Sequence, residues 1–192
     1  MAVEDAAGAP VCAYRAPTFS ITRRSVWALE ILLELGFLVD SSVFPTKNHL
    51  YGIPGAPRKP FRIRIQGADL LEFPLPVLTV GGCGVPFTGG AYLRILPYRL
   101  QASGLNKMVN RSEPAVMYFH PWELDPAQPR LASTLGPKFY HYRGLSRTEG
   151  RLRGLLSCFS FGALRELAAV PALVYTVGTS ESRATFVRLG CT

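Results

Sequence analysis

The chain contains three histidines, and one of them, His120, stands at the end of a mostly apolar run in AVMYFHPWELDP, residues 115–126. A proline, a tryptophan and two carboxylates follow it. In α/β folds reactive groups gather at the carboxyl ends of strands, where loops build the pocket, and His120 stands at such an end. Pro121 stiffens the exit and Trp122 offers a flat wall of the kind on which sugar rings stack. The residues alone equally admit a histidine held by a structural hydrogen bond. Arg15, in YRAP, is the second candidate: its planar fork suits a carboxylate that must be oriented, or else it pairs with a surface acid. Asp40, in DSSVFP, is the third, although Asp-Ser-Ser also favours a turn or cap built from local side-chain hydrogen bonds.

Other chemistries lack their signatures. His49, His120 and His141 are far apart, and no H-x-x-x-H places two ligands on one helix face. The glycines of GGCGVPFTGG, residues 81–90, lack the G-K-[ST] of a phosphate loop and read as a tight turn. There is no G-x-S-x-G elbow. Cys12, Cys83, Cys158 and Cys191 form no C-x-x-C pair and read as free thiols.

The elements that must position these residues alternate between strand and helix. Residues 10–16 read as a short strand ending at Pro17. RRSVWALEILLELGF is a strong helix with Gly36 as its stop, and FLVDSSVFP is a second strand broken at Asp40–Ser42. Residues 45–67, with four prolines, read as loop. LLEFPLPVLTV is strand-like, and LPYRLQASGL reads as a short helix ending at Gly104. PAVMYFH is the clearest strand, a continuous apolar run as for burial on both faces. Ser146-x-x-Glu149 reads as a capping box opening RTEGRLRGLLSCF, and FGALRELAAV reads as a further helix. Residues 171–192 show weak strand character near LVYTV and otherwise read as a tail of uncertain structure, set apart from one domain over 1–170. The pattern predicts an α/β fold with largely parallel strands.

With 192 residues, of which 48% are hydrophobic and 11% aromatic, the chain can bury a real core. No apolar run reaches the ~20 residues of a membrane span, and the first residues do not read as a signal peptide, so the expected location is the cytoplasm. The net charge of +8 gathers in RKPFRIR, residues 58–64, and in Arg143, Arg147, Arg151 and Arg153, where a Glu149–Arg153 pair suits a solvated helix face. No nucleic-acid motif accompanies the charge, so nucleic acid is not an expected partner.

Six stretches together resemble the polysaccharide deacetylases, in the branch associated with exosortase and exopolysaccharide gene clusters. They are YRAPTFSIT (14–22), GFLVDSSVFP (36–45), YGIPGAPRKP (51–60), LLEFPL (70–75), GGAYLRILPY (89–98) and FHPWELDP (119–126), in the family's order and approximate spacing. The resemblance spans about residues 8–168. It implies a distorted, incomplete (β/α) barrel and hydrolysis of the N-acetyl amide of polymeric amino sugars. By the resemblance, Arg15 matches the arginine that positions the carboxylate base. His120 matches the general acid that protonates the departing amine, a role suited to an imidazole. Asp40 falls in a motif of the site wall. Residue type adds Phe44, Tyr92 and Trp122 as lining of a sugar groove.

The chain departs from that pattern in one respect. The family's T-F-D-D type motif supplies the base and one ligand of a divalent metal such as zinc, and its H-x-x-x-H type motif supplies two more ligands. Neither is present. The expectation is a partial deacetylase-type barrel missing its first strands, with no metal or other cofactor of its own, inactive or weakly active by itself. The alternative is a non-catalytic carbohydrate-binding remnant. On either reading the expected partner is a polysaccharide or oligosaccharide.

Overall fold

A computed structural model describes residues 2–48, 51–130, 140–167, 172–180 and 183–188. A short helix, α1 (Ala2–Ala7), precedes β1 (Ala13–Tyr14). Helix α2 (Ala28–Glu34) leads to β2 (Val39–Asp40), and β3 (Phe61–Ile65) and β4 (Ala68–Glu72) form a hairpin. A second hairpin, β5 (Val77–Val80) and β6 (Cys83–Pro86), is followed by α3 (Gly90–Ile95), α4 (Tyr98–Val109) and α5 (Leu145–Cys158). The strands β7 (Leu173–Ser180) and β8 (Arg183–Arg188) complete the order.

The main sheet runs β1-β2-β4-β3-β7-β8. The pairs β1–β2, β2–β4 and β3–β7 are parallel, whereas β3–β4 and β7–β8 are antiparallel. The expected α/β architecture is present with a mixed sheet, and among the described residues that sheet does not close.

Alternation explains how β3 enters the sheet. In FRIRI, Phe61 and Ile63 are buried while Arg64 points outward to a bidentate pair with Asp69 on β4. On that face α2 packs Leu29 and Leu32, with Val26, against Ile63 and Leu70. Val39, Leu71 and Phe73 build the opposite face against Val116 and Leu164. Each such side chain contributes roughly 1.5–3 kcal/mol on burial. The helices α3, α4 and α5 close a separate cluster on Phe87, Leu93, Leu105 and Leu155.

Several local expectations are corrected. The stretch 61–65 is a central strand, not loop. Among the described residues PAVMYFH joins no ladder: residues 113–118 are half-buried, and Phe119 and His120 are exposed. Its side chains nonetheless alternate, Ala115 and Met117 toward the helical cluster, Val116 and Tyr118 toward an aromatic one. The run therefore has a strand's periodicity without, among the described residues, a neighbouring strand to pair with. Gly104 lies inside α4, not at its end, because the Phe87 ring packs where a Cβ would stand. α5 begins at Leu145 with Gly144 as its N-cap, so Ser146 is already helical and forms no capping box. Over FGALRELAAV the described residues form only a 3-10 turn, Leu164–Leu167, and 168–170 lie outside the described residues. Within 171–192, β7 extends the sheet in parallel with β3.

Candidate functional site

Arg15 follows β1, and the β1–β2 register sets Tyr14 beside Asp40. That register lets the Asp-Ser-Ser segment grip the arginine. Arg15 donates from Nε to Ser41 O at 3.0 Å and from Nη2 to Ser41 Oγ at 2.8 Å, and Ser41 Oγ donates to Phe73 O at 2.6 Å. Ser42 Oγ accepts the Ala16 N–H at 2.8 Å and donates to Asp40 Oδ1 at 2.6 Å. Asp40 is fully buried. It therefore acts on the arginine's segment through Ser42, as the local hydrogen bonding of Asp-Ser-Ser suggests, and does not face solvent. Burial draws the Arg15 guanidinium below its ordinary value, opposed by Glu72, Tyr118 and Asp40.

His120 precedes a 3-10 turn, Pro121–Leu124. Its N–H donates to Glu123 Oε2 at 2.8 Å, while Glu123 Oε1 accepts from Arg94 Nε of α3 at 2.6 Å. Both side chains of this ion pair are buried, at 3% and 0% exposure. Arg94 Nη1 also donates to the carbonyls of His141 and Arg143, and its guanidinium lies 5.1 Å from the Trp122 ring centroid. The backbone of His120 is thereby tied to a charge-assisted, fully partnered network.

The two halves meet at one cavity of about 680 Å³ lined by Arg15, Phe19, Tyr51, Tyr118, Phe119 and His120. The Arg15 guanidinium lies 5.9 and 5.7 Å from the Phe19 and Tyr118 ring centroids. Thr18 (φ 55°) and Phe19 (φ 52°) are both left-handed, a conformation that costs non-glycine residues about 1–3 kcal/mol each. It turns the Phe19 ring edge-on to Phe44, Tyr51 and Tyr118.

The remaining residues singled out in the sequence stand behind this surface. Phe44 is buried and stacks on Tyr51 with ring centroids 5.5 Å apart. The Tyr92 hydroxyl lies 3.1 Å from that of Tyr51. Trp122 stacks under His120 at 5.7 Å. Burial pushes the Tyr92 and Tyr118 phenols upward, so both stay neutral near pH 7. Phe19, Tyr51 and Tyr118, which supply the walls, carried no sequence signal beyond residue type. Glu123 did carry one, standing three residues after His120 at the spacing by which a carboxylate reaches back to a turn's first N–H.

The described residues do not fit the divalent metal that the resemblance implies. Among the described residues no group of three or more His, Cys, Asp or Glu side chains comes together. His120 and His141 each stack on Trp122, at 5.7 and 4.3 Å, but no third donor joins them among the described residues, and Asp40 is sealed in the core. His49 lies outside the described residues.

Comparison with known proteins adds one finding. The model of the family described as Domain of unknown function (DUF3473) matches residues 41–169, a span that includes Phe44, Tyr92, His120 and Trp122 but not Arg15 or Asp40. No curated protein and no solved structure matches the chain.

Proposed function

From the premise that the chain belongs to the DUF3473 family, a polysaccharide deacetylase-associated domain, we propose that its cavity is the sugar groove and acid side of a polysaccharide deacetylase-type site. The supporting observation is that Arg15 and His120, distant in sequence, line one aromatic-walled cavity. Phe19, Tyr51 and Tyr118 give a pyranose ring flat apolar surface, and polar tips remain for its hydroxyls. His120 is exposed and its backbone is fixed, so its protonated imidazole can deliver a proton to the departing nitrogen once water has added to the acyl carbon, as the carbon–nitrogen bond breaks to leave a free amine and a carboxylic acid. Arg15 holds a carboxylate or the electronegative end of the substrate. A distorted partial barrel is the corresponding architecture, with β1 and residues 113–120 as the flanks of its opening.

No step is derived through a metal. The acid alone contributes ~10²–10⁴-fold in general, far below what amide hydrolysis requires, so the reading for this chain by itself is binding with little or no turnover. Calorimetry with partly N-acetylated glucosamine oligomers tests this. Saturable binding that weakens roughly tenfold, about 1.4 kcal/mol, in Tyr118→Ala is expected, without acetate release. Absence of binding would remove the sugar-groove reading. Acetate release abolished by a chelator would overturn the inactivity.

A further inference from the structure

Across the parallel β2–β4 ladder, Asp40 stands directly opposite Glu72, and both side chains are fully buried. Like charges directly opposite in a sheet repel, and adjacent carboxylates in a dry interior do not both ionise. The hydrogen bonds leave one oxygen over. Asp40 accepts from Ser42 Oγ and Ser42 N–H, and Glu72 Oε1 accepts from Val43 N–H at 3.0 Å. Glu72 Oε2 is buried and has no hydrogen-bond partner, and the carboxyl opposite it across the ladder is that of Asp40. Two carboxylates beside the single guanidinium of Arg15 would leave a buried net negative charge, and one proton on the pair removes it. Burial first, and then the neighbouring Asp40, raise Glu72 well above the usual carboxylate range.

We propose that Glu72 is a positioning residue for Arg15: it is held near pH 7 as the carboxylic acid, its Oε2 proton donated to Asp40, and so keeps the Asp-Ser-Ser grip on the arginine in one geometry. The inference deepens the reading of the same cavity and rests on it only for why the placement of Arg15 matters. The charged and titratable groups facing the cluster are Arg15 after β1, Tyr118 from the 113–120 segment, and the two carboxyls themselves.

The sign of the pH dependence follows. Above about pH 4.3 an unfolded glutamate has lost its proton while folded Glu72 keeps it, so folding takes up a proton and the fold weakens as pH rises, until Glu72 itself titrates. Denaturant unfolding of the full chain, wild type against Glu72→Gln, reads this directly. From about pH 5 upward the wild-type unfolding constant should rise, relative to that of the variant, by up to about tenfold per pH unit. Parallel profiles would overturn the proposal. The infrared carbonyl band of a protonated carboxylic acid should be present at neutral pH, absent in Glu72→Gln and shifted in Asp40→Asn, and its absence from the wild type would overturn the proposal equally.

The Arg15 Nε–H resonance reports positioning. It should stay protected in wild type and in Glu72→Gln, whose carboxamide still donates to Asp40, and exchange rapidly in Glu72→Ala. Unchanged protection in a folded Glu72→Ala would remove the positioning role, and if that variant does not fold, the Glu72→Gln profile and the infrared band decide. Failure of oligosaccharide binding would overturn the sugar-groove reading while leaving these three readouts intact.

Discussion

At the scale of single residues, the ion pair Arg94–Glu123 does more for His120 than anything next to it in sequence. Glu123 spends one oxygen on the His120 N–H and the other on Arg94. Glu123→Ala therefore leaves a guanidinium buried without its counter-charge and frees the backbone of the histidine. Breaking one side of a buried pair costs about 3–5 kcal/mol, whereas replacing both members by apolar residues of similar volume is often neutral. Urea unfolding should show that loss for Glu123→Ala and recover most of it in the double variant Arg94→Met/Glu123→Leu. Equal losses for both would mean that the pair's charges are not what holds the turn. His120, Arg15 and Asp40 could be picked out from residue type and neighbours. Arg94 could not, because a lone arginine on a short helix says nothing of a carboxylate 29 positions on. Phe44 and Tyr92 had the right type for a groove wall, but type does not say which ring of a stack faces outward, and here Tyr51 stands in front of both.

At the scale of elements, the start of α3 shows how packing fixes a wall of the cavity. The backbone of Gly89 and Gly90 runs beneath the Tyr118 ring, and a Cβ on Gly89 would fall inside it. Gly89 adopts φ 75° and ψ 157°, a conformation open essentially only to glycine, and the Gly90 N–H donates to Tyr118 O at 3.2 Å. Gly89→Ala combines backbone strain of about 1–3 kcal/mol with overpacking of about 1–3 kcal/mol. A loss of roughly 2–6 kcal/mol on denaturant unfolding is expected, with a displaced Tyr118 ring resonance and weakened oligosaccharide binding. An unmoved ring would show that the glycines answer to something else. The glycine pair was visible in the sequence as a turn, but its reason was not, since the ring it accommodates lies far along the chain. The same non-locality hid β3: FRIRI alternates cleanly, but prolines at 54, 57 and 60 made the region read as loop. With β3 hidden, its parallel partner β7 could read only as weak strand and tail.

At the scale of the whole molecule, stability is unevenly distributed, and the candidate site sits at the weak end. β3 and β4 are flanked on both sides by β7 and β2, and they carry the fully buried Phe61, Ile63, Leu70 and Leu71. β1 is two residues long and terminates the sheet. Its outer edge faces a second cavity, of about 390 Å³, whose far wall is Ala115–Met117. That wall belongs to the segment that joins no ladder, held by the Gly90 bond to Tyr118 O and by Thr88 Oγ1 donating to Val116 O at 3.4 Å. Local opening free energies range from near zero at such edges to the global value in central strands. Amide exchange should therefore be slowest over residues 61–65 and 68–72 and faster over 13–16 and 115–120 by about 3 kcal/mol, roughly a hundredfold. Both fast segments line the aromatic cavity, so an occupant closes both. At a hundredfold excess over Kd a glucosamine oligomer stabilises the bound form by about 2.7 kcal/mol, and exchange at Ala16 and at Tyr118–His120 should slow accordingly, while the central pair, already near the global limit, gains no more than the molecule as a whole. Uniform protection in the free chain would contradict the uneven stability, and ligand protection confined to other segments would move the binding site away from Arg15 and His120.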